Sequence, residues 1–407
     1  MLKRSGLALL AEPNFRRFFT GNATSLLGDG MASVALPLAV LDLTRSSADV
    51  GYVLSARSVP MLAALLFGGV IADRFPRRAV MIAADGSRLA GQGATAALLL
   101  SGHARIWPLI GLQAVSGVAT AVFNPAVTGL MSSMVVGDRL QQANALRGLA
   151  SSIGYIAGPA LAGAVVSVSS PAWAVAANAA TFAVSAFQLA RLKLPAQQRR
   201  PARSFQGDLR DGWAELRSRT WLWTFIIFSS VNNMCFGAFL VLGPAVVQSQ
   251  NGPTAWAGLV AALGAGSLAG SLLALHLRPG HPLRTAALAV VLFAAPTVGL
   301  AARAPIIVLA GLCLLAGAGT TVSNSLTQTV LQRHVEEAAL SRISAFMLLG
   351  SLAVQPIGQA GAGPMAAAIG VHPVLWLAAS VQLLSALATL TVAPIRRLPA
   401  CPGQAEA

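Results

Sequence analysis

The sequence predicts an all-α integral membrane protein with 12 transmembrane helices in two six-helix, pseudo-symmetric halves. Three observations carry that expectation: composition, the placement of basic residues, and an internal repeat. Of 407 residues, 55% are hydrophobic and only 10% charged, with a mean hydropathy of +0.69. A soluble chain is about one quarter charged, so this one has too few charges to cover a soluble surface, and a water-soluble enzyme is excluded. Apolar runs long enough to cross a bilayer, about 20 residues each, fall at 18–41, 50–72, 80–101, 106–134, 146–168 and 172–192. After a polar gap, six more follow at 222–247, 255–276, 285–302, 305–330, 345–369 and 373–394.

The basic residues orient these spans. With the N-terminus inside, 23 of the 28 Lys and Arg fall in cytoplasmic segments, while only Arg45, Arg105 and Arg303 fall outside. Arg57 and Arg88 lie within spans. Lys and Arg accumulate on the cytoplasmic side, and an odd number of spans in either half would scramble the bias. A multi-pass protein of a bacterial cytoplasmic (inner) membrane, with both termini cytoplasmic, is expected. The net charge of +15 has the same origin and implies no nucleic-acid partner.

The repeat divides the chain. A shift of 200 residues aligns Gly117, Thr120, Val122 and Asn124 with Gly317, Thr320, Val322 and Asn324. The match runs on through Leu149, Ser151, Gly158 and Gly163, which meet Leu349, Ser351, Gly358 and Gly363. An even number of spans per copy makes the halves parallel, related by an axis along the membrane normal. The expected division is an N-terminal half at 1–194, a cytoplasmic linker at 195–220, a C-terminal half at 221–397 and a cytoplasmic tail at 398–407. In the linker, Phe205, Leu209, Trp213 and Leu216 repeat at helical spacing with charges between them, as in an amphipathic surface helix. Met1–Leu10 lacks a small-residue cleavage site after an apolar core, so the first apolar stretch is expected to be a retained span.

Several chemistries find no support. Cys235, Cys313 and Cys401 are far apart and match neither disulfide nor zinc spacing. The five histidines, His103, His276, His281, His334 and His372, fall in loops or at span ends, so no metal site and no cofactor is expected. The chain has no Gly-x-x-x-x-Gly-Lys phosphate loop, so ATP is not expected to power it directly.

Two motifs stand out. The end of span two reads Gly69-Val-Ile-Ala-Asp73-Arg74-Phe75-Pro76-Arg77-Arg78. Gly69 would let a neighbouring helix approach closely, Asp73 would accept from a helix N-terminus in the other half, and the arginines would meet lipid phosphate or acidic partners. This stretch resembles the loop 2–3 signature of the major facilitator superfamily, with Pro76 in place of a glycine. Span five carries Gly154-Tyr-Ile-Ala-Gly158-Pro159-Ala-Leu-Ala-Gly163, similar to the antiporter motif of drug-efflux members, with Ala162 replacing one glycine. Glycines four apart permit tight contact and proline kinks the helix. Where many antiporters carry an arginine in span four, this chain has Gln113. Together with Phe123-Asn124-Pro125-Ala126 and Leu140-Gln-Gln-Ala143-Asn144-Ala145, these motifs resemble the branch of enterobactin-exporter-like and macrolide-efflux-like permeases. The resemblance covers essentially the whole chain, and it implies the major facilitator fold and efflux.

Charges inside a membrane are costly and mark function by default. Asp29 lies mid-span in the first span and Arg57 at a similar height in the second, so a direct pair is expected. Asp85 and Arg88 lie three apart on span three, on one helix face. These four are the candidates for proton coupling. The second half offers amides: Asn232, Asn233, Asn324, Gln328 and Gln355, which join Gln113 and Asn124 as candidate substrate contacts. The reading is a monomeric secondary exporter of a small organic molecule (drug, siderophore or secondary metabolite), driven by proton antiport with alternating access. Its partners are substrate, protons and membrane lipids. The alternatives are a proton-coupled uptake symporter, or a membrane-embedded enzyme or lipid scramblase. No span holds the Ser–His pair or His/Glu/Asp cluster that an enzyme needs.

Overall fold

The computed structural model describes residues 9–135, 139–193, 216–335 and 337–398; side chains at 66–74, 141, 253, 337–342 and 345 are outside that description. The linker segment 195–215 with its anticipated surface helix, and Cys401 in the tail, therefore lie outside the described residues. Among the described residues every regular element is a helix. The helices are α1 (Pro13–Thr44), α2 (Ser47–Arg74), α3 (Arg77–Leu100), α4 (Ile106–Met134), α5 (Arg139–Val168) and α6 (Pro171–Ala190). Then come α7 (Thr220–Asn251), α8 (Pro253–Ala274), α9 (Pro282–Val291), α10 (Ala295–Ala301), α11 (Ile306–His334), α12 (Glu337–Ala353), α13 (Gln355–Ile369), α14 (Val371–Thr391) and the short α15 (Ala393–Arg397). Nine helical stretches among the described residues are long and apolar enough to cross a membrane. The helices α2, α3 and the α12–α13 pair stand where the other three spans are expected, so the series is consistent with 12 crossings.

Two expected spans are broken, and proline explains both. The run 345–369 reads as one helix in sequence, but it divides at Val354, just before Pro356 in the first turn of α13. Proline lacks the N–H for the ladder and crowds the carbonyl four residues back. The run 285–302 divides at a 3-10 turn, Leu292–Ala294, with Pro296 opening α10.

The chain forms two compact units. One comprises Met1–Ala202 with Gly252–Ala261, the other Arg203–Asn251 with Ala262–Ala407. Within the first, α1 packs on α5 and α6, α2 on α4, and α3 on α4 and α6. Within the second, α7 packs on α12, α13 and α14, and α11 on α9 and α10.

The repeat is visible in these helices. α4 and α11 each have 29 residues and begin 200 positions apart, and each ends where the N–H of Val135 or Val335 donates 3.1 Å to the carbonyl of Met131 or Leu331. α1 and α7 each have 32 residues, with internal Pro37 and Pro244 207 positions apart. At that same offset stand Gly30 and Gly237, both at helix crossings. A Cβ on Gly158 of α5 would lie 2.7 Å from the Gly30 backbone, and one on Gly154 would lie 2.8 Å from the Leu26 carbonyl oxygen. In the second unit a Cβ on Gly237 would lie 3.0 Å from the Gln355 carbonyl oxygen, and one on Gly358 would collide with the Met234 carbonyl. The second and fourth helices repeat the device: a Cβ on Gly117 would collide with the Arg57 carbonyl, and one on Gly317 with that of Leu263. Small residues permit this backbone approach, and close packing is what holds helices together where lipid is as apolar as leucine.

Gly158→Leu and Gly358→Leu should each destabilise their own unit by overpacking, by about 1–3 kcal/mol or more. Gly93→Ala, where a Cβ meets nothing within 4 Å, should be neutral or stabilising by about 0.5–1 kcal/mol, as Ala suits a helix interior better than Gly. Thermal unfolding of the three purified variants in detergent checks this; equal midpoints would mean the glycines do not set the helix spacing.

Candidate functional site

Three successive residues of α1 prepare the site. Successive helix positions point about 100° apart, so Gly28, Asp29 and Gly30 face three directions. Gly30 meets α5, as above. Gly28 meets α6, where a Cβ would lie 2.6 Å from the Asn178 side-chain oxygen and would collide with the Thr181 hydroxyl. Asp29 takes the remaining direction, towards α2 and α3. With the helix held this close on two sides, its carboxylate is brought within reach of two cations.

Arg57 Nη2 of α2 donates to Asp29 Oδ1 at 3.0 Å, and Arg88 Nη1 of α3 approaches Asp29 Oδ2 at 3.5 Å. Arg88 Nη2 also donates to Asp85 Oδ1, one helical turn away on the same face of α3. The result is an alternating row, Asp85–Arg88–Asp29–Arg57, whose formal charges sum to zero. The two ends differ in accessibility. The side chains of Asp85 and Arg88 are 0% and 3% exposed, whereas those of Asp29 and Arg57 are 28% and 25% exposed. The Arg88 guanidinium lies 4.3 Å from the ring centres of both Phe123 of α4 and Phe182 of α6. Each ring face attracts the cation and together they fix its plane. Ser185 of α6 faces the Asp85 carboxylate.

The sequence places Asp29 near Arg57 and Asp85 near Arg88. It does not reveal that Arg88 joins the two pairs, nor that Phe123 and Phe182 enclose it. The available signals were the flanking glycines of Asp29 and the aromatic residues of spans four and six, but their facing directions depend on tertiary packing.

The remaining candidates are spread out. Gln113 of α4 is fully buried and accepts from Gln92 Nε2 at 3.4 Å, while Asn124 on the same helix is exposed. In the second unit, Asn232 Nδ2 donates to the Phe228 carbonyl at 2.9 Å and the Ser385 hydroxyl at 3.2 Å. Asn233 Nδ2 donates to the Ser351 carbonyl at 3.0 Å. These two amides tie α7 to its neighbours. Asn324 and Gln328 face outward on α11, and Gln355 is half-buried at the start of α13. On α5, Gly154, Gly158, Pro159 and Gly163 are all buried.

Of the loop motif, Gly69, Asp73 and Arg74 close α2, and their side chains lie outside the described residues. Arg77 Nη1 donates to the Gly129 carbonyl of α4, while Arg78 donates to the Leu189 carbonyl at 2.9 Å and to that of Ala190. Where the sequence suggests lipid phosphate or acidic partners for them, the structure supplies backbone carbonyls. The last carbonyls of α6 have few intrahelical partners and carry the negative end of the helix dipole, so a guanidinium suits them. Among the described residues no cluster of metal-ligating side chains occurs.

Comparison with known proteins agrees with this architecture. Residues 18–358 match the family described as Major Facilitator Superfamily. The chain is 28% identical over 412 aligned positions to the enterobactin exporter EntS of Shigella flexneri, covering 98% of this chain and 96% of that one. It is 27% identical, with the same coverage, to EntS of Escherichia coli O127:H6. Among solved structures, the nucleoside transporter NupG superposes with a TM-score of 0.73 at 13% identity, covering 92% of this chain and 98% of that one. A bacterial homologue of the human lysosomal transporter Spinster, inward-facing and unoccupied, gives 0.72 at 12% identity, with 97% and 99% covered.

Removing Arg88 should be far worse than removing its ion pair. Arg88→Leu leaves Asp85 as a buried, uncompensated acid, at a cost of about 3–5 kcal/mol. The double variant Asp85→Leu/Arg88→Leu should regain most of that loss. Unfolding midpoints of the two proteins in detergent test the pairing; a double variant no more stable than the single one would show that Asp85 does not depend on Arg88.

Proposed function

This chain belongs to the major facilitator superfamily, and on that premise we propose that it is a secondary active exporter of a small organic molecule, driven by proton antiport. It is a multi-pass membrane protein and not an enzyme. The proposed setting is a bacterial cytoplasmic membrane with both termini inside, and the proposed cycle is one of alternating access.

The observation that carries the coupling is the shared carboxylate of Asp29. Asp85 is sealed beside Arg88, so protons reach it only through large rearrangement. Asp29 holds two guanidiniums while remaining partly accessible. An ionised carboxylate at mid-membrane depth costs on the order of 2.5–3.5 kcal/mol on insertion scales. A change in the Arg57 contact, or in access from one side, changes how that charge is balanced. Asp29 is the proton carrier in this reading, Arg57 its moving partner, and Arg88 with Asp85 the fixed counter-charge. Asp73, with Arg74, Arg77 and Arg78, forms the proposed gate at the α2–α3 turn, and the glycines and Pro159 of α5 seal against leak. Similarity to proteins named enterobactin exporter supports export over uptake, and makes enterobactin the first compound to test, ahead of drugs and other secreted metabolites.

Asp29→Asn keeps shape and hydrogen bonding but cannot titrate. It should insert normally and still bind substrate, yet lose uphill, pH-gradient-driven transport. Inside-out vesicles supply the assay: the parent should accumulate substrate when the gradient is imposed, and Asp29→Asn should only equilibrate it. Accumulation at the parental level by the variant would remove Asp29 from the coupling step. Accumulation only in right-side-out vesicles would favour the uptake symporter.

A further inference from the structure

The internal repeat points to a site where the two units differ. In the first unit the Arg77 guanidinium lies over α4 at Gly129: a Cβ there would lie 2.5 Å from the guanidinium carbon. Arg77 thereby fills the space between the α2–α3 turn and the end of α4. Two hundred residues on, the position is Thr329 of α11, and there the corresponding space is an open groove of about 390 Å³. It lies between the end of α8, the start of α9 and the last turns of α11. Arg278 and Arg333 line it, with the hydroxyl residues Ser325 and Thr329 and the apolar side chains of Leu275 and Leu326. Arg278 is exposed and has no ion pair among the described residues, whereas Arg333 is also engaged within the protein. The adjoining first turn of α9 opens at Pro282 without a side-chain cap, so its N–H groups add positive potential.

We infer that this groove binds an anionic phospholipid of the cytoplasmic leaflet, its phosphate between Arg278 and Arg333 and the start of its acyl chains on Leu275 and Leu326. Charge complementarity selects the occupant. Two guanidiniums and two hydroxyls suit a phosphate, while the apolar wall at the same depth suits the hydrocarbon joined to it. A volume of this size accepts a headgroup with its glycerol. The inference rests on the membrane orientation proposed above but not on export or proton coupling, and its test reads binding and stability without transport.

The full-length protein in phosphatidylcholine nanodiscs, with and without phosphatidylglycerol, provides the experiment. Native mass spectrometry counts retained phosphatidylglycerol, and thermal unfolding reports its effect. The parent should retain the lipid and unfold at a higher temperature with it. Arg278→Gln and Arg333→Gln should each weaken apparent affinity about fivefold. The pair Arg278→Lys/Arg333→Lys should keep most of the binding, because an ammonium also holds phosphate as a point charge. Arg396→Gln/Arg397→Gln, at two exposed positions of α15, should bind as the parent does. Undiminished binding by Arg278→Gln and by Arg333→Gln overturns the site, as does an equal loss in the Arg396→Gln/Arg397→Gln variant, which would indicate bulk charge. If inorganic phosphate in pure phosphatidylcholine stabilises the parent as phosphatidylglycerol does, the occupant is a free anion and the lipid assignment fails.

Discussion

The contact on which the rest of the first unit depends is the approach of α1 to α5 and α6 on either side of Asp29. Gly30 admits the α5 backbone and Gly28 admits the Asn178 and Thr181 side chains of α6. No side chain larger than hydrogen fits at either position without movement. The residue between them must then face α2 and α3, where an apolar side chain would leave Arg57 and Arg88 without a shared anion. Helix packing and electrostatics are thus one constraint here: the spacing of the backbones decides which charges meet. The same economy appears between α2 and α4, where Gly117 lies against the carbonyl of Arg57 itself. A shift at that crossing would move Arg57 relative to Asp29.

The second unit keeps the spacing and discards the charges. Gly237 and Gly358 repeat the crossing of Gly30 and Gly158, and Gly317 meets Leu263 as Gly117 meets Arg57. The residue 207 positions after Asp29 is Phe236, whose ring centre lies 4.4 Å from that of Phe293 and 5.2 Å from that of Phe239. An aromatic cluster therefore stands where the first unit places its carboxylate. Buried polar groups in the second unit are amides and hydroxyls, among them Asn232, Thr297, Ser323 and Gln382, none of which titrates in the physiological range. The repeat gives both units a common scaffold, and among the described residues buried charged side chains, Asp85 and Arg88, occur in only one copy of it. The loops follow the same division: Arg77 is drawn onto the neighbouring α4 in one unit, while Arg278 faces an open groove in the other.

The fold was legible because its causes are local or additive. Apolar run length, loop charge and a repeat at fixed offset need no knowledge of which helix touches which. The ion pairs were half legible for the same reason: Asp85 and Arg88 share a helix face by periodicity, and Asp29 and Arg57 share a depth by counting residues. Arg88 reaching Asp29 depends on how α1, α3 and α6 pack, which no local pattern contains. The broken helices at Pro356 and Pro296 were readable in principle, since both prolines are plain in the sequence, but continuous apolar character outweighed them. The amides likewise need tertiary context: seen one residue at a time Asn232 and Asn233 look unengaged, while in the fold their Nδ2 groups donate to carbonyls and a hydroxyl, on neighbouring helices and within α7.

The two cations that hold Asp29 are unequal, and the inequality bears on the coupling proposed for this site. Arg88 is fixed by Asp85 and by two rings, so it retains a counter-ion whatever Asp29 does. Arg57 has Asp29. Protonating Asp29 removes one negative charge from a row that otherwise sums to zero, and the surplus positive charge falls on Arg57. Linkage then works both ways. A ligand that places an anion on Arg57 balances the charge left by a protonated Asp29, so ligand and proton bind together, the relation required for symport. A ligand that donates hydrogen bonds to the Asp29 carboxylate competes with the proton, the relation required for antiport. Arg57 and Arg88 would repel a cation at the same place, so the competitor best suited to exchange is a neutral molecule with donor groups. If Asp29 carries the proton as proposed, exchange or co-transport turns on which member of the Asp29–Arg57 pair the substrate engages.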